Sequence, residues 1–290
     1  MAESTKHVEF LGQTIPHHPS GTVTGGKCFA KGHKSDYDEN CSCSHRWQAF
    51  EKAVDNADLY RLTDKQVRAL GGGTWMLFFR GGDDDASDLA NRGRTVARFL
   101  LNKQMYLLEV PKPKVGDWDV ARSKRNFKSW CNLPYYHEAH HVVPDATLRD
   151  ELLRVFGEEG GGSNEFAIWV VTGLLHAPYN IHYKDNMIIL PMDERVGDVL
   201  QLPIHRETKQ CNHTSYDEYI GAQLKSRLRA QLREVMKKHD EEKGEPKLKD
   251  LAESIEALSR QLYDEVSKAR REGGFRSIEQ MGQIRLSLTK

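Results

Sequence analysis

The spacing of apolar residues near the start of the chain predicts its first helix. Trp47, Phe50 and Val54 recur at intervals of three and four residues, so that their side chains share one face of a helix. The polar residues between them would occupy the opposite face. The pattern therefore predicts a helix from His45 to about Leu59.

The next stretch combines a helix start with two strand patterns. Thr63 begins the Thr-x-x-Gln spacing of a capping box, which predicts a second, short helix. Continuous apolar runs at 74–79 and 105–110 predict buried strands, and residues 86–101 between them are predicted to form a helix. Together these elements predict a small α+β unit over residues 36–110.

Short strands and longer helices are predicted for the rest of the chain. Residues 135–144 end in an apolar Val-Val-Pro, which is typical of a strand that reaches a turn, and Met187–Leu190 predicts a second strand. The last part, residues 226–290, shows helical spacing in two pieces. The second piece begins at Pro246 and ends at Gly273-Gly274, and a helical hairpin packed on the core is expected.

Composition limits the classes of function. The chain has 290 residues, of which 38% are hydrophobic and 29% charged, and its 42 basic residues balance its 42 acidic residues. Nucleic-acid binding would therefore need a local basic patch. The N-terminus lacks a signal-peptide pattern, and no apolar run is long enough to span a bilayer. We expect synthesis in the cytoplasm, no membrane insertion, and export only through a dedicated machine.

Five cysteines, an odd number, argue against a complete disulfide framework. Cys28, Cys41, Cys43 and His45 have the side-chain types that bind structural zinc. Their Cys-x-Cys spacing is less common in zinc sites than a gap of two to four residues. The alternative is a group of reduced, partly buried cysteines in a loop, and the imperfect spacing favours it.

A basic stretch lies before residue 135 and is interleaved with aromatic residues. Such side chains could contact phosphates, the interaction that supplies most non-specific affinity for nucleic acids. The alternative is a solvated helix face. The basic residues of this stretch are Arg122, Lys124, Arg125 and Lys128.

Histidines are concentrated in one part of the chain. Seven of the 13 lie between residues 137 and 213. Adjacent residues of a strand point to opposite faces, so His140 and His141 cannot act from the same side. That arrangement suits a metal ligand beside a general base. Farther along, Asn186 stands at a turn before the second predicted strand, and His205 and His213 precede a helix.

This ordered pattern resembles the AHH family of the HNH/endonuclease VII (ββα-metal) nucleases, whose members are often toxin domains of bacterial polymorphic toxin systems. The resemblance covers roughly residues 130–225, with a longer gap from His205 to His213 than the family pattern has. It is carried by Ala139-His140-His141-Val142-Val143-Pro144, by Asn186 with Leu190-Pro191, and by His205 followed by His213 and Tyr216.

The sequence patterns and the resemblance together predict an α+β fold in three parts, of which the resemblance covers only the nuclease core. A ββα-metal nuclease core with added helices would occupy residues 120–225. A small α+β region over residues 1–115, with a delivery or interaction role, would precede it, and the helical tail over residues 226–290 would pack on it.

The resemblance also implies a role for each residue of the site. His141 would activate a water molecule, since a neutral imidazole is a good base near pH 7. His140 and His213 would hold one divalent cation, with His205 as a third ligand. Asn186 would fix the loop and orient the base. Imidazole ligands suit Zn²⁺, Ni²⁺ or Mn²⁺, and Mg²⁺ could act if phosphate and water completed its shell. Arg206 would join the basic stretch in contacting nucleic acid.

The expected function is hydrolysis of DNA phosphodiester bonds by a non-specific DNase, with RNA as an alternative substrate. By family context the protein would be an antibacterial toxin that leaves the cell without a signal peptide and acts in the cytoplasm of the target cell. Its partners would be a cognate immunity protein and a secretion-system component. Two alternatives stay open: a phage or housekeeping HNH endonuclease, and a non-enzymatic interaction module stabilised by zinc.

Overall fold

The computed structural model describes most of the chain from residue 41 onward and shorter segments before it. The described residues are 7–10, 13–16, 28–29, 39, 41–69, 74–80, 96–97, 105–111, 115–116, 118–121, 126–128, 134–135, 137–158, 164–206, 213–241 and 248–288.

Helices and small antiparallel sheets make up these residues, as expected for an α+β protein. Along the chain the strands are β1 (His7–Phe10), β2 (Gln13–Pro16), β3 (Thr74–Arg80), β4 (Val96–Ala97), β5 (Met105–Pro111), β6 (His137–His141) and β7 (Met187–Pro191). The helices are α1 (His45–Asp55), α2 (Asp64–Ala69), α3 (Asp145–Glu158), α4 (Asn164–His176), α5 (Glu194–Leu200), α6 (Thr214–Glu241), α7 (Lys249–Gly273) and α8 (Ile278–Leu288). Short 3₁₀ turns cover Ala57–Leu59 and Lys184–Asn186.

The strands pair in three antiparallel groups. β1 pairs with β2, β6 pairs with β7, and β5 lies between β3 and β4. The position of β4 corrects one prediction, since residues 86–101 were expected to be helical. Val96 and Ala97 instead pair with Leu108 and Leu107 of β5. Pairing with a neighbouring strand overrides the local helical spacing at these two residues.

The two predicted helix starts before residue 70 are confirmed. α1 begins at His45, and the hydroxyl oxygen of Ser44 caps it by accepting a hydrogen bond from the backbone N–H of Trp47 at 3.3 Å. The capping box before α2 is reciprocal. The N–H of Thr63 donates to Oε1 of Gln66 at 2.8 Å, and the N–H of Gln66 donates to the Thr63 hydroxyl at 3.3 Å.

β7 is buried along its whole length because it separates two apolar cores. Ile188 and Leu190 face a core built from α3, α4, α6, α7 and α8. Met187 and Ile189, on the opposite face, pack in a second core with residues of α1 and α5. Two-sided burial explains why every position of this strand is apolar. It also fixes the register of β6, which pairs with β7 along one edge.

The tail forms three helices, and its last two enclose a sharp turn. α7 ends where Gly274 adopts a left-handed conformation with φ of 66°, as the Gly-Gly pair predicted. The chain then pairs with an earlier segment, because Ile204 and Ser277 form an isolated parallel bridge. None of the helices in the described part of the chain has the length and apolar character needed to cross a membrane.

Candidate metal centre

Three histidines converge at one end of the β6–β7 pair, and we call them the histidine triad: His140, His205 and His213. Their candidate ligand nitrogens all lie within 4.8 Å of one another. The ring of His140 has its centroid 4.8 Å from that of His205 and 4.9 Å from that of His213. His140 and His205 are buried, and His213 is half-buried. The triad is therefore a compact group that opens toward solvent at His213.

Each member of the histidine triad comes from a different element. His140 lies on β6, opposite Ile188 of β7. His205 follows α5, and its backbone N–H donates to the carbonyl of Pro191 at the end of β7, at 2.9 Å. His213 immediately precedes α6. A strand, the end of its partner and a helix start thus define the site.

A carboxylate holds the ring of each of two triad members. Nδ1 of His205 donates to Oε2 of Glu138 at 2.8 Å, and Nδ1 of His213 donates to Oδ1 of Asp217 at 3.0 Å. Because a carboxylate only accepts, both rings carry a proton on Nδ1, and each ring in its neutral form then has its lone pair on Nε2. This is the arrangement that orients a histidine for metal binding.

The lone pair of His205 faces another imidazole. Its Nε2 atom lies 3.0 Å from Nδ1 of His140. Two ring nitrogens at this distance need a proton or a cation between them. Two ligands of a tetrahedral zinc ion lie roughly 3.3 Å apart, because Zn–N bonds are about 2.0–2.1 Å long. Nε2 of His140 is buried and has no hydrogen-bond partner among the described residues.

Burial lowers the pKa of two triad members, His140 and His205. It lowers the pKa of His140 well below the ordinary value, and the neighbouring rings of His205 and His213 lower it further. Burial also lowers the pKa of His205, although its hydrogen bond to Glu138 acts in the opposite direction. Both imidazoles are therefore unprotonated near neutral pH, which is the state that binds a metal.

The three predicted metal ligands are thus brought together, and they could hold a metal ion. No protein-family model, characterised protein or solved structure matches the chain.

The predicted base, His141, lies on the other face of β6 from His140. It pairs with Met187, which faces the α1 side of β7, and its Nε2 atom lies 2.9 Å from Nδ1 of His182. The ring of His45, at the start of α1, has its centroid 5.9 Å from that of His141. Burial, together with His182 and His45, lowers the pKa of His141 well below the ordinary value.

Asn186 holds the turn that follows β6. Its Oδ1 accepts from the N–H of Val143 at 2.8 Å, and its Nδ2 donates to the carbonyls of Val143 at 3.0 Å and Ile181 at 2.8 Å. The side chain is buried, and all three hydrogen bonds join it to backbone groups. These bonds hold the backbone beside His141, and the role of Asn186 in orienting the base stays a prediction.

The three N-terminal cysteines form a separate buried group, which we call the thiol cluster: Cys28, Cys41 and Cys43. All three are free thiols. A hydrogen bond with Cys28 and burial raise the pKa of Cys43 to about 12, against the lowering effect of Cys41. His45, the fourth predicted zinc ligand, instead lies near His141 and His182. The zinc site stays a prediction.

Two of the predicted nucleic-acid contacts lie in the described residues. Lys128 places its Nζ atom 5.0 Å from the centre of the Phe50 ring. Arg206 is half-buried, and one of its terminal nitrogens lies 3.4 Å from Oε2 of Glu138, at the edge of the histidine triad. Arg122, Lys124 and Arg125 lie outside the described residues.

Sequence reasoning missed the residues that hold the rings. Asp217 lies four residues after His213 at a helix start, and this spacing could have revealed the pair. Glu138 lies two residues before His140, which places both side chains on one face of a strand. The contact of His182 with His141 gave no signal in the local pattern.

Proposed function

We propose that this protein is a metal-dependent endonuclease that hydrolyses phosphodiester bonds of DNA. The observation that carries the proposal is the histidine triad, in which His205 and His213 are each oriented by a carboxylate. Phosphodiester cleavage needs a cation that neutralises charge at the leaving oxygen, and three protein ligands leave positions on that cation for water and phosphate.

The order of the elements favours a nuclease of the ββα-metal type. β6 carries His140, β7 pairs with β6, and α6 begins directly after His213. The two strands and the helix therefore stand in the order that the family resemblance implies. A donor set of imidazoles favours Zn²⁺, Ni²⁺ or Mn²⁺ over Mg²⁺, which prefers oxygen ligands.

We assign the general base to His141. It is the last residue of β6 and directly follows the ligand His140, which is the order that the family resemblance implies. His141 is half-buried, and its hydrogen bond with His182 supplies the orienting partner that a base requires. Asn186 would keep the end of this strand in place through Val143.

Arg206 would contact the phosphate of the substrate. Its ion pair with Glu138 places a guanidinium at the edge of the histidine triad. Arginine presents donors in a fork that matches phosphate oxygens, so it could hold the strand that is being cut. The basic residues predicted from the sequence would also contact the nucleic acid: Arg122, Lys124, Arg125 and Lys128.

Cleavage of supercoiled plasmid by the purified protein tests the proposal. We expect cleavage with Zn²⁺, Ni²⁺, Mn²⁺ or Mg²⁺ and none after chelation. His140→Ala should abolish both cleavage and metal binding. His141→Ala should abolish cleavage and still bind the cation, which separates a catalytic centre from a structural zinc site. If the protein cuts neither DNA nor RNA with any of these cations, the proposal fails.

The biological setting proposed for this activity is that of an antibacterial toxin, with the cognate immunity protein and secretion-system component as partners. It rests on the family resemblance. Expression in the cytoplasm of a susceptible bacterium should stop growth and degrade the chromosome, and the His141→Ala variant should not. Growth at the normal rate with intact DNA during expression of the active enzyme would contradict the toxin role.

A further inference from the structure

We infer that the start of the C-terminal helix α8 is a positioning element of the metal centre, with Glu279 as its key residue. The inference rests on the histidine triad being a metal site, as proposed above. It assigns a role in metal binding to a segment more than 60 residues away in sequence from His213, the nearest ligand along the chain.

Glu279 caps the helix that begins directly after His213. Its Oε2 accepts from the backbone N–H of Ser215 at 2.9 Å, and its Oε1 accepts from the Ser215 hydroxyl at 2.6 Å. The His213 imidazole is committed to Asp217, so it does not cap the helix with its side chain. A carboxylate from another element therefore satisfies a free N–H of α6 and interacts favourably with the helix dipole.

Close packing fixes this contact. α8 approaches the first turn of α6 so closely that a Cβ atom at Gly282 would overlap the backbone of Ser215 and Tyr216. Tyr216 in turn donates its hydroxyl to the carbonyl of Val142, just beyond β6, at 2.7 Å. Glu279 and Gly282 thus hold the helix start that carries His213 against the strand that carries His140.

The turn before α8 and the first residue of α8 position the third ligand, His205. The N–H of Ile204 donates to the carbonyl of Arg276 at 2.9 Å, and the N–H of Ile278 donates to the carbonyl of Ile204 at 3.1 Å. His205 is the next residue. Buried Arg270 secures this bridge, since it donates to the carbonyl of Arg276 at 3.1 Å and forms an ion pair with Asp198 of α5.

Two of the three ligands are therefore positioned by residues 276–282. A hydrogen-bond partner that orients a metal ligand typically changes affinity by about 10- to 100-fold when removed. Glu279 acts one step farther out, through the backbone of the helix. We expect Glu279→Ala to weaken metal binding by roughly tenfold, at the lower end of that range.

The test uses Co²⁺ as the probe, with affinity measured by competition against a chelator and coordination followed by visible absorption. Glu279→Ala should bind roughly tenfold more weakly and show an altered spectrum. Glu279→Gln should stay within about threefold of the parent, because its amide can accept from the Ser215 N–H and donate to the hydroxyl. Glu253→Ala removes an exposed carboxylate near the start of α7 and should leave binding unchanged.

Circular dichroism establishes that each variant is folded. If Glu279→Ala does not fold, Ser215→Ala removes one of the two hydrogen bonds and should weaken binding by roughly threefold. Parent-like affinity and spectrum in a folded Glu279→Ala or Ser215→Ala variant would overturn the inference alone. Failure of the parent to bind Co²⁺ would overturn the metal centre, and the inference with it.

Discussion

Nε2 of His205 lies 3.0 Å from Nδ1 of His140, although 65 residues separate the two histidines. Glu138 accepts a hydrogen bond from Nδ1 of His205, so the lone pair on Nε2 is directed at His140. His213 approaches both rings from the start of α6. A proton or a cation must therefore lie between these two nitrogens, and the three rings together could hold a metal ion.

Removing His205 should disable metal binding. His205→Ala deletes one of three ligands, and we expect affinity for Zn²⁺ or Co²⁺ to fall by at least about 100-fold, the most that loss of an orienting partner costs. Competition with a chromophoric chelator measures the change. His176→Ala, at the exposed end of α4, is the matched control. Equal affinity in the two variants would remove His205 from the site.

The carboxylate of Asp217, beside His213, should matter more for metal affinity than that of the next residue, Glu218. Asp217→Ala removes the group that holds the His213 ring, and we expect metal affinity to fall by roughly tenfold. Glu218→Ala removes the same charge from an exposed position on the same turn, so that helix-dipole effects are shared. Calorimetric titration compares the two. Similar losses would mean that charge, rather than ring orientation, controls affinity.

Asn186 should contribute strongly to stability. Asn186→Ala leaves buried backbone groups of Val143 and Ile181 without three hydrogen bonds, each worth about 1 kcal/mol. We expect the free energy of unfolding in urea to fall by about 3 kcal/mol. Asn56→Ala removes one partly buried hydrogen bond to the carbonyl of Lys52 and should lower the free energy of unfolding by about 1 kcal/mol or less. Parent-like stability of Asn186→Ala would show that the turn holds without it.

His137 should make the protein sensitive to acid. Burial lowers its pKa to about 4, although the hydrogen bond to the carbonyl of Tyr135 opposes this. Between the unfolded value of about 6.5 and about 4, the unfolded chain binds a proton that the folded chain does not. This contribution to stability is therefore complete above about pH 6.5 and is lost as the pH falls, by up to about 1.4 kcal/mol per unit.

The His137→Asn variant keeps a donor for Tyr135 and cannot titrate. We expect its unfolding free energy, measured in urea without metal, to depend less on pH between about 6.5 and 4, by about 1 kcal/mol per unit. His176→Asn is the matched substitution at an exposed position. Parallel curves for parent and His137→Asn would show that His137 is not the source of the acid sensitivity.

Local patterns predicted the elements that local chemistry determines. The start of α1, the capping box at Thr63, the buried strand β7 and the turn at Gly274 all depend on residues within a few positions of one another. The helix predicted over residues 86–101 is wrong at Val96 and Ala97, because these residues pair with β5 as strand β4. Such pairing depends on a strand that sequence spacing does not locate.

The same distinction applies to the candidate site. Its histidines were found because imidazoles are rare and were dense in one region. Glu138 and Glu279 were missed, because their roles depend on contacts with His205 and Ser215, which are 67 and 64 residues away. The spacing of Glu138 places it on one strand face with His140, but it does not show that its carboxylate reaches His205. Only the fold shows which carboxylate reaches a ligand or caps the helix beside one.

Reconstitution of the chelator-stripped protein tests whether cleavage depends on a cation that the histidine triad binds. Plasmid cleavage is followed as Zn²⁺, Mn²⁺ or Ni²⁺ is added, with the His205→Ala variant in parallel. We expect the parent to gain activity until one cation is bound per chain and then to reach a plateau, while His205→Ala stays inactive at the same concentrations. Full-rate cleavage by the stripped protein without any cation, or parent-like cleavage by His205→Ala, would contradict this expectation.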